Sequence, residues 1–224
     1  MSQDQKNFVF PGDVIVTGHY RPEQNVILED GKLIATAIGF SEMNDDEVKV
    51  IPLTGLYTPQ IDDLVIGTIV SHNALSWEVN INSFYPGILL ATDVFGKDYS
   101  PSKDALSAKL NVGDIVAARV ANTGSRDPLI TINGQNLGKI DSGELVRISP
   151  AKVPRLIGKQ GSMIQTIEAA TNTSITIGQN GLIVFMCDNS TSLKKSIACI
   201  KMVDLMLDDS NLEKKIQNML DENN

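Results

Sequence analysis

The sequence predicts a multidomain β and α+β protein. A small N-terminal β domain precedes a five-stranded barrel, and an α+β domain of order β-α-α-β-β-α with a C-terminal helix follows. Three observations lead there. Short apolar runs punctuated by Gly, Pro and Asp turn signals occupy the chain up to about residue 132. Beyond Leu145 the apolar spacing shifts toward the helical period, as in Leu193, Ile197, Ile200, Val203 and Leu207. Charge is also segmented: residues 144–203 hold 7 basic and 3 acidic residues in a chain whose net charge is −8.

In the first segment, expected over residues 1–57, Val14–Thr17 follows the turn signal Pro11-Gly12-Asp13. Val26–Leu28 and Leu33–Ala35 flank Asp30-Gly31, a strong hairpin signal because both turn residues need positive φ. Val48–Pro52 is a further strand, and Leu53–Gln60 reads as a linker. In the second segment, expected over 58–138, the strands are Leu64–Val70, Trp77–Ile81, Ile88–Leu90, Ile115–Val120 and Leu129–Ile132. Trp77, Val79 and Ile81 alternate with polar residues, so Trp77 falls on the buried face. Five short strands with one longer connection, Thr92–Asn111, suit a closed OB barrel.

Gly134, Gly138 and Gly143 punctuate a second linker. The third segment, expected over 143–207, opens with the strand Leu145–Ile148 and a short helix over Lys152–Ile157. A clear helix begins at Ser162, with Ser162 and Gln165 spaced as a capping box. Thr173–Ile177 and Leu182–Phe185 are strands joined by Gly178-Gln179-Asn180-Gly181. Residues 208–224 read as a helical or frayed tail, with Leu212, Ile216 and Met219 suggesting another turn or two.

Composition sets the outer limits. With 42% hydrophobic and 21% charged residues, the chain is neither disordered, collagen-like nor a disulfide scaffold. Cys187, Cys199, His19 and His72 offer no CxxC pair, so no zinc site and no other metal or cofactor is expected. Sparse cysteine suits a reducing compartment, and the location expected is cytoplasmic. The polar start Met1–Asn7 runs into no apolar h-region, so no signal peptide is expected. Leu182–Cys187 is far shorter than the roughly 18 residues a membrane helix needs.

The segment richest in chemistry is Val153-Pro154-Arg155-Leu156-Ile157-Gly158-Lys159-Gln160-Gly161-Ser162-Met163-Ile164. Two glycines bracket Lys159 and Gln160 between two helices. Glycine permits close backbone approach, and the amides and positive dipole end of the following helix face the loop. With Arg155 and Lys159 adding charge, this loop can clamp the phosphates of a single strand. A nucleotide P-loop is excluded: Gln160 follows Gly158-Lys159, and Val153 stands where the first glycine belongs.

Ile157-Gly158-Lys159-Gln160-Gly161, Ile164, Ile167, Thr171, Ile175, Ile177 and Asn180-Gly181 resemble a KH domain of the β-α-α-β-β-α type. Gly67, Trp77, Gly87, Val112-Gly113-Asp114 and Arg119-Val120 resemble the OB domain named after ribosomal protein S-one. In this order, after a β domain opening with Pro11-Gly12-Asp13, the segments resemble the RNA-binding cap subunits of the archaeal exosome over about residues 8–207. Leu137–Ile140 and Ile148-Ser149-Pro150 add to that resemblance.

The resemblance implies a non-catalytic subunit seated on a phosphorolytic ring of RNase PH-type subunits, with a second type of cap subunit as a further candidate partner. It would bind single-stranded RNA and guide the 3′ end inward. The RNA-binding residues expected are Gly158, Lys159, Gln160 and Gly161, with Arg155, Ser162, Ile157 and Ile164 alongside. On the barrel the expected contacts are Lys97, Lys103, Lys109, Arg119 and Arg126. No catalytic residues are expected: no paired-carboxylate metal motif or Ser/His/Asp order is present. The acidic N-terminal module and tail suit docking on a basic protein surface. Alternatives are a transcription or translation factor with OB and KH domains, a nuclease in its own right, and a scaffold.

Overall fold

The structure, a computed structural model, describes residues 7–44, 46–53, 55–123, 127–205, 216 and 219. It divides into two compact units, Met1–Gly55 and Leu56–Asn224.

The N-terminal unit holds β1 (Asn7–Val9), β2 (Val14–Thr17), β3 (Arg21–Pro22), β4 (Val26–Glu29), β5 (Lys32–Ala35), β6 (Gly39–Met43) and β7 (Glu47–Pro52). They form a sheet ordered β1-β6-β7-β3 and a sheet ordered β2-β5-β4. Asp30 and Gly31 do take positive φ, 48° and 74°, at the β4–β5 hairpin. Leu33, Ala35, Val48 and Val50 alternate inward and share one core with Val9 and Val26. β1, β3 and β6 add strands beyond those expected from the sequence. β1 and β3 are two or three residues long, and β6, Gly-Phe-Ser-Glu-Met, has no β-branched residue to mark it.

In the second unit, β8 (Leu64–His72), β9 (Ser76–Asn80), β10 (Gly87–Leu90), β11 (Ile115–Asn122) and β12 (Leu129–Thr131) close into a five-stranded barrel. Closure comes from β12, which pairs parallel with β10 and antiparallel with β11. The connection after β10 carries helix α1 (Ala91–Phe95) and a 3-10 turn, and it sends Leu106 and Leu110 into the barrel core. Trp77 is fully buried there. Its Nε1 donates to Leu110 O at 3.1 Å, and its ring stacks on Phe95 at a 6.3 Å centroid distance. The stretch read as a second linker contains β13 (Gly138–Ile140), which extends the sheet beyond β11. Lys139 at its centre pairs with Asp114 at 2.8 Å, and that hydrogen bond holds the Asp114 carboxyl below its ordinary pKa.

The remaining elements are β14 (Glu144–Arg147), α2 (Val153–Ile157), α3 (Ser162–Thr171), β15 (Ser174–Ile177), β16 (Leu182–Met186) and α4 (Ser190–Leu205). The sheet order is β14-β16-β15, all antiparallel. Central β16 is buried on both sides, which explains its unbroken apolar run. Ile183 and Phe185 face the helices, packed with Leu156, Ile167, Ile200 and Val203. Leu182 and Val184 face the barrel, packed with Ile66, Ile115 and Ile140. Ile216 is helical and buried in the helix-side core, and Met219 packs against that core. Leu207, Leu212 and the rest of the expected tail lie outside the described residues.

Candidate nucleic-acid interface

The glycine loop joins α2 to α3 and is shaped by left-handed backbone. Gly158 has φ 73° and ψ −175°, a region essentially confined to glycine. A Cβ there would also lie 2.9 Å from Met163 Cβ and 3.1 Å from Met163 N, so only glycine lets α3 approach this closely. Gln160 (φ 52°, ψ 28°) and Gly161 (φ 82°, ψ 8°) are both left-handed and turn the chain into α3. Gly161 is therefore the N-cap and Ser162 the first helical residue, so the expected capping box does not form. No side chain caps this end. The amides that open α3 stay uncapped by side chains and face an exposed loop, a suitable seat for phosphate.

The flanking residues fall on both sides of this turn. Arg155 lies half-exposed on α2, Gln160 and Ser162 are exposed, and Lys159 sits in the 3-10 turn between them. Ile157 and Ile164 are half-buried: each packs on the helix-side core while keeping part of its surface open. Ile175 and Ile177 on β15 pack on the same core. The loop is thus flanked by apolar surface of the kind that receives bases.

The expected barrel cations lie on different elements. Lys97 and Lys103 are exposed in the connection after α1, and Lys109 is exposed just past the 3-10 turn Leu106–Ala108. Arg119 is exposed on β11, opposite Leu64, and its Nη1 donates to Asp62 O at 2.5 Å. Arg126 lies outside the described residues. One aromatic feature escapes the sequence reading. Phe84 is 77% exposed and Tyr85 is 44% exposed, and they meet edge to face at 5.0 Å in the β9–β10 loop. Two adjacent aromatics just before Pro86-Gly87, in a turn rather than a strand, are the signal that could have marked them.

The barrel and the α+β domain are joined through Asn180, which is fully buried. Its Oδ1 accepts from Ile66 N (3.3 Å), and its Nδ2 donates to Ile66 O (2.6 Å) and Ile81 O (2.8 Å). Asn82 Nδ2 donates to Asn180 O at 2.6 Å, and Gln179 N to Leu64 O at 2.7 Å. Gly178 makes room: a Cβ there would lie 2.2 Å from Asn180 Oδ1 and 2.8 Å from Ile66 N. The β15–β16 turn is therefore hydrogen-bonded to β8 and to Ile81 and Asn82 just past β9.

Among the described residues, no group of three or more His, Cys, Asp or Glu could hold a metal ion. No described helix is long and apolar enough to cross a membrane.

Residues 143–192 match the KH domain family model. The exosome complex component Rrp4 of Nitrosopumilus maritimus is 55% identical over 219 residues, covering 97% of each chain. Rrp4 of Thermosphaera aggregans is 36% identical over 89% of this chain and 85% of its own. Among solved structures, a crystal structure described as a candidate exosome complex RNA-binding protein superposes with a TM-score of 0.71 at 38% identity. It covers 75% of this chain and 97% of its own.

Proposed function

The chain belongs to the family of exosome complex component Rrp4, and from that membership we propose that it is the non-catalytic RNA-binding cap of an exosome. It binds single-stranded RNA and guides the 3′ end into a phosphorolytic ring of RNase PH-type subunits, in the cytoplasm. The observation that carries this reading is the Gly158–Gly161 loop, held open by left-handed backbone at the uncapped start of α3.

In this reading, phosphates of the strand sit against the loop backbone, with Lys159 and Arg155 supplying charge. Ile157 and Ile164 offer apolar surface to the bases. The barrel lysines Lys97, Lys103 and Lys109, with Arg119 and Arg126, draw the strand onward. Asn180 ties the turn after β15 to the barrel, which supports a single strand contacting both domains. The N-terminal unit supports docking on a protein partner. It is acidic, and it exposes Phe8, Phe10, Val14, Ile27 and Leu28, with Phe8 packed edge to face on Phe10 and Phe40.

The test is reconstitution. The purified chain alone should leave RNA intact, with or without phosphate or metal. Added to RNase PH-type ring subunits, it should join the ring and speed phosphorolysis of single-stranded RNA. Degradation by the chain alone, or no association with the ring, would refute the reading.

A further inference from the structure

β15 is one of the two edge strands of its sheet, and two of its three outward amides are already occupied. Gly178 N donates to Leu182 O, so the ladder's alternation turns the N–H groups of Ile175, Ile177 and Gln179 away from β16. Ile175 N–H donates to Glu168 Oε1 at 2.8 Å, and Gln179 N–H donates to Leu64 O at 2.7 Å. Ile177 N–H lies between them, the one outward amide of the three for which the described residues supply no acceptor.

Two clefts adjoin this strand, and they differ in charge. One, of about 1150 Å³ near its start, is lined by Glu144, Glu168 and Asp188 and by no lysine or arginine. The other, of about 870 Å³, runs along β15 between the sheet and the barrel. It is lined by Arg119, Gln135, Asn136 and Lys139 on one side and by Ser174–Ile177 on the other, with Asp141 as its acid. Lys139 is engaged with Asp114, whereas Arg119 forms no salt bridge among the described residues.

We propose that this second cleft is a binding site for the stretch of single-stranded RNA that continues from the glycine loop across the β15 edge onto the barrel. The proposal rests on the RNA-binding reading above. Arg119 supplies the phosphate contact, and the carboxamides of Gln135 and Asn136, which are exposed, supply paired donors and acceptors for base edges. The Ile177 main chain adds one more donor at the same edge. An added peptide strand is a poorer occupant, because it needs successive open amides and two of the three here are taken. The acidic cleft repels phosphate, which leaves the Arg119 side as the route.

The experiment compares 4-nucleotide and 10-nucleotide single-stranded RNAs on the full chain by fluorescence anisotropy, since a glycine loop of this type clamps about four nucleotides. The longer RNA should bind about tenfold more tightly, and Gln135→Glu should erase most of that gain while leaving the shorter RNA's affinity unchanged. Arg119→Gln should reduce binding of the longer RNA. A 4-thiouridine placed beyond the first four nucleotides should crosslink within residues 135–140 or 174–177. If the length gain and the crosslinks survive Gln135→Glu, or if the crosslinks map elsewhere, the cleft assignment is overturned while RNA binding by the loop stands. If neither RNA binds, both readings fall. Competition of an extended peptide for these crosslinks would also overturn the assignment.

Discussion

Asn180 and Ile66 are joined as an amide pair: the Asn180 carboxamide accepts from the Ile66 N–H at 3.3 Å and donates to the Ile66 carbonyl at 2.6 Å. The two residues are 114 positions apart and fully buried. Through this pair a turn of the KH domain completes the hydrogen bonding of a barrel strand.

Asn180→Ala should destabilise the second unit by about 3 kcal/mol, because it strands the Ile66 N–H and the carbonyls of Ile66 and Ile81 without partners. Asn180→Asp should cost more, since a carboxylate would face two carbonyl oxygens in a dry site. Urea unfolding of the three proteins checks the order.

Gly158→Ala should distort the loop and weaken RNA binding, because the residue is held at φ 73°, ψ −175° and its Cβ would press on Met163. The strain alone is worth about 1–3 kcal/mol. Gly161→Ala should be milder, since its Cβ would meet only Gln165 Nε2, at 3.6 Å. Anisotropy titrations of both variants should show the larger loss at Gly158.

Trp77 should be silent toward RNA. It is the chain's one tryptophan, fully buried and hydrogen-bonded to Leu110 O. Its fluorescence should resist iodide quenching and stay constant on RNA addition, and Trp77→Phe should lower stability without changing affinity. Quenching by RNA would place a base on it.

The two thiols should react in sequence. Cys187 is partly exposed, whereas Cys199 is buried and its pKa is raised by that burial, so less of it is thiolate at any given pH. Titration with an aromatic disulfide should modify one thiol promptly and the second only under denaturing conditions. Mass mapping should assign the fast site to Cys187.

Much of this architecture is legible in the sequence because its causes are local. Asp30-Gly31 announces its hairpin through positive φ, and the alternation Trp77, Val79, Ile81 places Trp77 inside. The glycine loop is equally visible. Its entry into α3 is not, because Ser162 and Gln165 have capping-box spacing while the left-handed Gly161 takes the cap position. β13 looks like linker because Gly138 and Lys139 are poor strand formers and Ile140 alone is too short a signal, and β11 supplies the pairing. Asn180-Gly181 announces a turn, but the target of the Asn180 side chain lies in another domain and leaves no local trace. Of the site residues, those on the loop follow from spacing, whereas the cleft beside β15 depends on how the two domains meet.

The most direct measurement of the central claim is the affinity of the full chain for single-stranded RNA as Lys159 and Gln160 are replaced by Asp, read across a salt series. The loop account predicts a loss of about tenfold or more and a shallower dependence of log affinity on log salt, since a phosphate contact has gone. Unchanged affinity and an unchanged salt slope would contradict it.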